Sequence, residues 1–242
     1  MIQEELTLRP IAHIRSDFET KFGVPRQSGL SPSLRAEIVF EEEYRDANAF
    51  RGMEAYSHLW LLWGFSERRS IPGGKWSPTV KPPRLGGNTR MGVFATRSPN
   101  RPNPIGLSSV ELISVEQRDG LGPVLTVAGA DLMNGTPIYD IKPYLSFTDS
   151  HPDAKNGFAE AHSEDSVMLD IPDALIEKIP PEKRAGLIET LRQDPRPSYA
   201  DADGTPYGIA YAGNDIRFYV RNGTLTVFEI VPRTPELAPV KQ

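Results

Sequence analysis

The sequence predicts a mainly β protein that ends in a small α+β domain. Most of residues 8–147 consists of short β-prone segments joined by long loops rich in proline and glycine, a pattern typical of a β-barrel or a β-sandwich rather than a doubly wound sheet. The only clear helical periodicity follows Pro172, and a strong hairpin signal comes after it. With 242 residues, the chain can form one large or two modest domains.

Five segments in the amino-terminal part have the composition of strands, with β-branched or aromatic residues bounded by turn residues. These segments cover residues 11–14, 35–40, 57–65, 123–130 and 138–144. Segment 57–65 is apolar on both faces, so we expect a central strand, either buried on both sides or in contact with a partner subunit. Its tryptophans, Trp60 and Trp63, favour a role in the core or in an interface over one in a ligand site.

A stiff loop, residues 97–106, lies between two more β-prone segments, 92–96 and 110–115. Three prolines within six residues of this loop fix φ and remove backbone donors, so neither a helix nor a strand ladder can form there. The loop carries two guanidinium groups, those of Arg97 and Arg101. Because a loop this rigid loses little entropy when it closes on a ligand, we interpret it as part of a binding site. A plain connection between strands is the alternative.

The carboxyl-terminal part of the sequence combines helices with a hairpin. Apolar residues recur at helical spacing over residues 172–191, and a double proline, Pro180 and Pro181, splits this pattern into two helices. Asn222 and Gly223 join two β-prone segments, as in a two-residue hairpin turn.

The domain boundaries follow from a change in composition. Residues 151–170 are acidic and low in large apolar side chains, which is typical of a linker. We therefore predict a first domain over residues 1–150 and a second domain over residues 171–242.

The charge distribution indicates a polyanionic partner. The formal net charge is −5, yet residues 68–110 contain eight basic and no acidic residues, which leaves 19 basic against all 32 acidic residues elsewhere. An uninterrupted basic block around a rigid loop favours a polyanion, and Trp76 within it suits stacking on single-stranded nucleic acid. A long surface loop without a ligand is the alternative.

Composition also excludes or disfavours several kinds of site. The absence of cysteine excludes disulfides, thiolate metal sites and cysteine nucleophiles, and four scattered histidines with no i,i+4 pair do not indicate a metal site. No apolar run approaches the roughly 20 residues of a membrane span, and the amino terminus lacks the pattern of a signal peptide. We expect a cytoplasmic protein that uses neither a metal nor a membrane.

The familiar catalytic sequence patterns are missing. Residues 124–135 superficially offer the glycine-rich turn of a Rossmann methyltransferase or dehydrogenase, but Pro137 follows and a β-prone segment replaces the expected helix. There is no Walker sequence, nucleophile elbow or HExxH motif. An enzyme built on this sequence must use a site formed by loops, with chemistry largely supplied by a bound cofactor.

One segment is specific enough to indicate a family. GVFATRSPNRPNPIGLS, residues 92–108, resembles the signature of the TsaA-like family, whose bacterial members are the TrmO tRNA (adenine(37)-N6)-methyltransferases. The resemblance continues, in order along nearly the whole chain, through residues 24–27, 57–60, 84–88, 140–144, 194–197 and 207–208. One departure is Asn134, where the family usually has aspartate; losing that carboxylate would weaken cofactor or acceptor binding.

The resemblance implies a fold, a reaction and a set of cofactor contacts. The amino-terminal domain would be a single-sheet β-barrel that binds S-adenosyl-L-methionine, and the protein would be a homodimer that methylates N6 of threonylcarbamoyl-adenosine 37 in tRNA. By position, the implied cofactor contacts are Pro25, Arg26, Gln27, Ser66, Glu67, Arg97, Leu107, Leu132, Met133, Asn134, Gly135 and Thr136. Arg26 and Arg97 suit the methionine carboxylate, whereas Glu67 or a turn carbonyl suits the adenosine hydroxyls or the ammonium.

The implied reaction places its own demands on the protein. A sulfonium already activates the methyl group, so the protein must align it with the acceptor nitrogen and exclude water. The acceptor nitrogen is urea-like and weakly nucleophilic, so a proton must leave at or near transfer. We predict Asp140 as the base and Lys142 beside the threonyl carboxylate, with a structural ion pair as the alternative. The predicted contacts with the tRNA anticodon arm are Arg68, Arg69, Lys75, Trp76, Lys81, Arg84, Arg101 and Arg196.

Two other functions remain open. A non-enzymatic RNA-binding module would explain the basic block, but not the rigid loop together with the turn at Asn134 and Gly135. A methyltransferase for another acceptor, such as a small metabolite, is the third possibility. Charge reversal at Lys75 and Lys81 would distinguish it from a tRNA enzyme.

Overall fold

The computed structural model describes residues 6–65, 76–82, 85, 89–162, 166–196 and 204–234. The strands of this part of the chain form a closed six-stranded barrel, a four-stranded sheet and a two-stranded pair. Described helices are few and short. The predicted mainly β class, with a single-sheet barrel and a small α+β unit, is confirmed.

The barrel contains six antiparallel strands, and two short strands pair with each other outside it. In chain order the strands are β1 (Ala12–Arg15), β2 (Arg35–Phe40), β3 (His58–Gly64), β4 (Thr79–Val80), β5 (Met91–Gly92), β6 (Ile105–Arg118), β7 (Gly122–Ala128) and β8 (Pro137–Pro143). The barrel order is β1, β2, β7, β6, β3, β8, and the sheet closes where Ala12 of β1 lies opposite Ile138 of β8. Fully buried side chains at alternate strand positions, such as Ile14, fill the interior.

Strand β3 occupies a central position between β6 and β8, as expected. Leu59 and Leu61 on its inner face are fully buried. Trp60 and Leu62 on its outer face are only half-buried, although Nε1 of Trp60 donates to Oδ2 of Asp149 at 2.8 Å. Burial on both sides, one of the two expectations for this strand, is therefore wrong, and contact with a partner subunit stays a prediction.

The segment predicted as a strand over residues 92–96 is mostly a turn. A 3-10 turn over Val93–Ala95 follows directly on β5. It is closed by Thr96, whose backbone N–H (3.2 Å) and hydroxyl (2.8 Å) both donate to the carbonyl of Val93. The next strand begins already at Ile105, so the stiff loop runs directly into β6.

Gly106, near the start of β6, lets this strand pass over the indole of Trp63. A Cβ on Gly106 would lie 2.2 Å from Cε2 of Trp63, and the ring is held because its Nε1 donates to Oγ of Ser108 at 3.0 Å. We expect Gly106→Ala to lower the free energy of unfolding by about 1–3 kcal/mol, as overpacking does, measured by urea denaturation. Gly92→Ala is the control, since a Cβ there would meet nothing within 4 Å. Equal stability of the two variants would contradict this packing.

The carboxyl-terminal unit packs helices against a mixed sheet. After a short helix α1 (Ser146–Asp149), it contains β9 (Met168–Asp170), α2 (Asp173–Ile176), α3 (Pro181–Arg192), β10 (Tyr207–Tyr211), β11 (Asn214–Arg221) and β12 (Thr224–Pro232). The sheet order is β10, β11, β12, β9, with β9 parallel to β12. The predicted helix pair and hairpin are confirmed: α3 starts at Pro181, and Asn222 and Gly223 have φ of 50° and 76°. None of the described helices has the length and apolar character needed to cross a membrane.

Two details of this unit differ from the sequence expectations. β10 was not predicted, and β9 falls inside the segment 151–170 that was interpreted as a linker. Three residues of that segment pair with Thr224, Leu225 and Thr226 of β12. The domain boundaries stay predictions.

The loop between β1 and β2 connects the barrel with the carboxyl-terminal unit. Phe18 and Leu34 within it are buried in the second hydrophobic core. Gly23 has φ 96°, and a Cβ there would lie 2.7 Å from Cγ2 of Ile209 on β10. The β1–β2 loop is therefore packed against the second unit while its middle, residues 24–28, faces a cavity.

Candidate functional site

A cavity of about 1130 Å³ lies where three loops meet the ends of β3 and β6. The loops contribute residues 24–28 of the β1–β2 loop, residues in the range 96–103, and residues in the range 131–136 after β7. Ligand cavities in proteins commonly measure about 300–1,000 Å³. The cavity is therefore large enough for a nucleoside-sized ligand and part of a second one.

Most of the described residues that were expected to contact a cofactor meet in this cavity. Those that line it are Pro25, Arg26, Gln27, Arg97, Leu107, Leu132, Met133 and Thr136. Asn134 and Gly135 belong to the same turn but are not part of the lining, whereas Ser66 and Glu67 lie outside the described residues. Segments that are distant in sequence thus contribute to one site.

Both arginines of the stiff loop line the cavity. Nη1 of Arg97 donates to Oε1 of Gln27 in the β1–β2 loop. Nη1 of Arg101 donates to the carbonyl of Thr96 at 3.0 Å, which braces the stiff loop from within. The guanidinium of Arg97 is thereby held between two loops at the cavity wall.

Arg26 is positioned by the carboxyl-terminal unit. Its Nη2 donates to the carbonyls of Asp194 (2.7 Å) and Arg196 (3.0 Å). Asp194 has φ 47°, a left-handed conformation, and its carboxylate lies 2.7 Å from Nη2 of Arg196. The segment that follows α3 therefore fixes one wall of the cavity. Arg196 was predicted to contact tRNA, and that contact stays a prediction.

The cavity contains a carboxylate that sequence reasoning missed, Asp131. Oγ of Ser108 donates to its Oδ1 at 2.6 Å, and Nε1 of Trp63 donates to the same hydroxyl at 3.0 Å. Burial raises the pKa of Asp131, and this effect outweighs the lowering by the Ser108 hydroxyl and by the charge of Arg97. Its place directly before the predicted cofactor turn is the signal that could have identified it.

The raised pKa of Asp131 has a consequence for stability. Between the ordinary carboxyl pKa and the raised one, the folded state binds more protons than the unfolded state, so this group's contribution to stability falls as pH rises. Relative to Asp131→Asn, which cannot titrate, we expect the wild-type protein to gain stability as pH falls from about 7 to about 4. Urea denaturation at a series of pH values measures this. A difference between the two proteins that does not change with pH would contradict it.

Asn134 ties its turn to the chain around β1. Its Oδ1 accepts a hydrogen bond from the backbone N–H of Ser16 at 3.2 Å, and its own N–H donates to the carbonyl of Phe18 at 2.8 Å. The next residue, Gly135, has φ 78° and donates to the carbonyl of Ile14 at 2.8 Å. A carboxamide oxygen can accept the Ser16 bond as an aspartate would. The effect of Asn134 on binding stays a prediction.

Asp140 and Lys142 form an ion pair on β8, outside the lining of the cavity. Their charged atoms are 2.8 Å apart and both side chains are well exposed, and the hydrogen bond to Asp140 raises the pKa of Lys142. This geometry suits the structural alternative. However, Lys142 lies opposite Trp60, which lines the cavity, so the catalytic role of the pair stays a prediction.

The basic block is described only in part. Arg68, Arg69, Lys75 and Arg84 lie outside the described residues. Lys81 is exposed, and the ring of Trp76, which is 44% exposed, lies 5.9 Å from the ring of Phe94, which is 72% exposed. An accessible aromatic pair suits base stacking. Contact with tRNA stays a prediction for all of these residues.

Comparison with known proteins gives matches over both parts of the chain. A family model described as the tRNA-methyltransferase O N-terminal domain matches residues 13–150, and one described as the TrmO C-terminal domain matches residues 174–233. Each part of the fold thus has its own counterpart in one family.

Individual relatives match over nearly the full length. The chain is 44% identical over 232 residues to a tRNA (adenine(37)-N6)-methyltransferase of Escherichia coli K12, covering 92% of this chain and 97% of that protein. It is 37% identical over 232 residues to a candidate S-adenosylmethionine-dependent methyltransferase of Pseudomonas aeruginosa PAO1, covering 93% of this chain and 97% of that protein. A crystal structure of TrmO from P. aeruginosa superposes with a TM-score of 0.74 at 32% identity, covering 96% of this chain and 100% of that chain.

Proposed function

This chain belongs to the tRNA-methyltransferase O (TrmO) family, and we propose that it transfers a methyl group from S-adenosyl-L-methionine to N6 of adenine 37 in tRNA. The observation that carries this proposal is the cavity, in which residues of three loops meet around two arginines, Arg26 and Arg97. A module that only binds RNA has no need of such a site.

The residues around the cavity fit the cofactor. S-adenosylmethionine supplies a methyl group that its sulfonium already activates. The guanidiniums of Arg26 and Arg97 suit its carboxylate, and the side chains of Phe65 and Leu107 offer apolar surface for its adenine. Other contacts implied by position belong to the same proposal: Pro25, Gln27, Ser66, Glu67, Leu132, Met133, Asn134, Gly135 and Thr136. No cluster of three potential metal ligands occurs among the described residues, and the absence of a metal stays a prediction.

For the acceptor, we propose threonylcarbamoyl-adenosine, with Asp140 as the base and Lys142 beside the threonyl carboxylate. Opposing residues of antiparallel strands share a face. Asp140 lies opposite Leu62, which lies opposite Leu107 of the cavity lining, so the pair is on the same outer barrel face as that lining. Asp140 would exchange its bond to Lys142 for the N6 hydrogen of the acceptor and take that proton as the methyl group is transferred.

The remaining parts of the proposal concern partners. The anticodon arm would be bound by the basic block, Trp76 and Arg196. We propose a cytoplasmic homodimer, because β6 carries three exposed apolar side chains, Ile105 (40%), Leu107 (56%) and Ile113 (44%), of the kind that interfaces cover. Light scattering after gel filtration tests the dimer, and a monomer at all concentrations would exclude it.

The decisive experiment combines purified protein, S-adenosylmethionine and tRNA, followed by mass spectrometry of the nucleosides. We expect threonylcarbamoyl-adenosine to gain one methyl group, and the same nucleoside to be unmethylated in cells that lack the protein. If calorimetry showed no saturable binding of S-adenosylmethionine, the proposal of an enzyme would be excluded. If the protein methylated a small molecule but not tRNA, the proposed acceptor would be wrong.

A further inference from the structure

Asp131 is the only acidic residue among the described residues that line the cavity. Four basic residues share that lining with it: Lys21, Arg26, Arg97 and Arg101. S-adenosylmethionine carries one negative group, the carboxylate, and two positive ones, the ammonium and the sulfonium. The arginines can serve the carboxylate, but the positive groups need an acceptor or an anion.

The carboxylate of Asp131 is oriented before any ligand arrives. The indole Nε1–H of Trp63 can only donate, so the hydroxyl of Ser108 accepts from it (3.0 Å) and donates its own proton to Oδ1 of Asp131 (2.6 Å). The backbone amides of Ser28 and of Asp131 itself also lower the pKa of this carboxyl, against the larger effect of burial. An ionised carboxylate has about four acceptor positions, so the hydrogen bond from Ser108 leaves room for a further donor.

The nearby charge that acts on Asp131 is the guanidinium of Arg97, which comes from a different loop. An amino-acid zwitterion carries its ammonium and its carboxylate on the same carbon atom. The protein group that binds the ammonium must therefore lie close to the one that binds the carboxylate, and the two groups must have opposite charges. Asp131 and Arg97 have opposite charges, both line the cavity, and the charge of Arg97 acts on Asp131.

We propose that Asp131 binds the α-ammonium group of the methionine moiety of the cofactor, beside Arg97. This inference rests on the proposed function, because it assumes that S-adenosylmethionine occupies the cavity with its carboxylate at Arg97. A buried carboxylate is costly without a partner. The bound ammonium supplies that partner. Part of the binding free energy of the cofactor therefore comes from removing the cost of burying the Asp131 carboxylate in the free protein.

Calorimetry on the full chain tests the proposal with wild-type protein and Asp131→Asn. The ligands are S-adenosylmethionine, S-adenosylhomocysteine, which lacks the sulfonium charge, and 5′-methylthioadenosine, which lacks the amino-acid part. We expect the variant to bind the first two about 10- to 100-fold more weakly, by similar factors, since each loses one hydrogen bond between charged groups. Binding of 5′-methylthioadenosine should be unchanged. Asp119→Asn, at an exposed site in the β6–β7 turn, is the matched control and should bind all three as wild type does.

Each other outcome would overturn the proposal in its own way. Weakening of S-adenosylmethionine alone would mean that Asp131 faces the sulfonium, and equal weakening of all three would mean that it only shapes the cavity. A reduced kcat with unchanged affinity would mean that it acts on the acceptor. If Asp131→Asn fails to fold, binding to the wild-type protein still tests the proposal. S-adenosylhomocysteine without its amino group should bind to wild type about 10- to 100-fold more weakly than S-adenosylhomocysteine itself, and equal binding would overturn the proposal.

Failure of the proposed function would give a different result, since the wild-type protein would then bind none of the three ligands.

Discussion

Replacing Arg97 with alanine should weaken the binding of S-adenosylmethionine by about 10- to 100-fold, the loss expected for a hydrogen bond between charged groups. The guanidinium is presented by a loop whose backbone the prolines stiffen, and it is held by Gln27 from the neighbouring loop. Little rearrangement can therefore bring another cation into its place. Calorimetry with S-adenosylmethionine measures the effect directly.

The geometry also predicts how conservative replacements behave. Arg97→Lys should recover only part of the affinity, because an ammonium keeps the charge but lacks the planar fork that matches a carboxylate. Arg90→Ala is the matched control: Nη1 of Arg90 donates to the hydroxyl of Thr79 at 2.9 Å, and Arg90 is outside the cavity lining. Wild-type affinity for Arg97→Ala would mean that the carboxylate binds elsewhere.

Local signals in the sequence were sufficient for most of the fold. The six barrel strands lie close to six of the β-prone segments, and Asn222 and Gly223 form the predicted hairpin turn. The sequence-based prediction failed, for example, at one place where hydrogen bonds within a single turn determine the structure and at another where pairing with another strand does. Residues 92–96 have strand composition, but the hydrogen bonds from Thr96 to the carbonyl of Val93 close a turn instead. β10 is defined by its pairing with β11, and the sequence of Tyr207–Tyr211 alone does not predict this strand.

The site shows the same division between local and long-range information. Arg97 could be selected from its stiff loop, because rigidity and charge are visible in a few residues of sequence. The anchoring of Arg26 could not, since it depends on carbonyl groups of Asp194 and Arg196 from the second unit. Asp131 became noticeable only when folding placed it beside Ser108 and buried its carboxylate.

The salt dependence of tRNA binding should fall when the described cations of the basic block are reversed. Each lost phosphate contact lowers the slope of log affinity against log salt by roughly 0.7–0.9. We expect Lys81→Glu to lose about one such contact, and Lys81→Glu with Arg101→Glu to lose about two and to weaken tRNA binding by about 10- to 100-fold. Fluorescence anisotropy with labelled tRNA at several salt concentrations measures both quantities.

Lys81 and Arg101 test different things because they lie in different surroundings. Lys81 is exposed and does not line the cavity, so its reversal should leave the affinity for S-adenosylmethionine unchanged. Arg101 lines the cavity and braces the stiff loop through Thr96, so its reversal can also affect the cofactor. Lys155→Glu, an equal change of charge at an exposed site outside the block, controls for net charge. If both variants of the basic block kept the wild-type slope, Lys81 and Arg101 would have no part in binding tRNA, and the prediction for these two residues would be wrong.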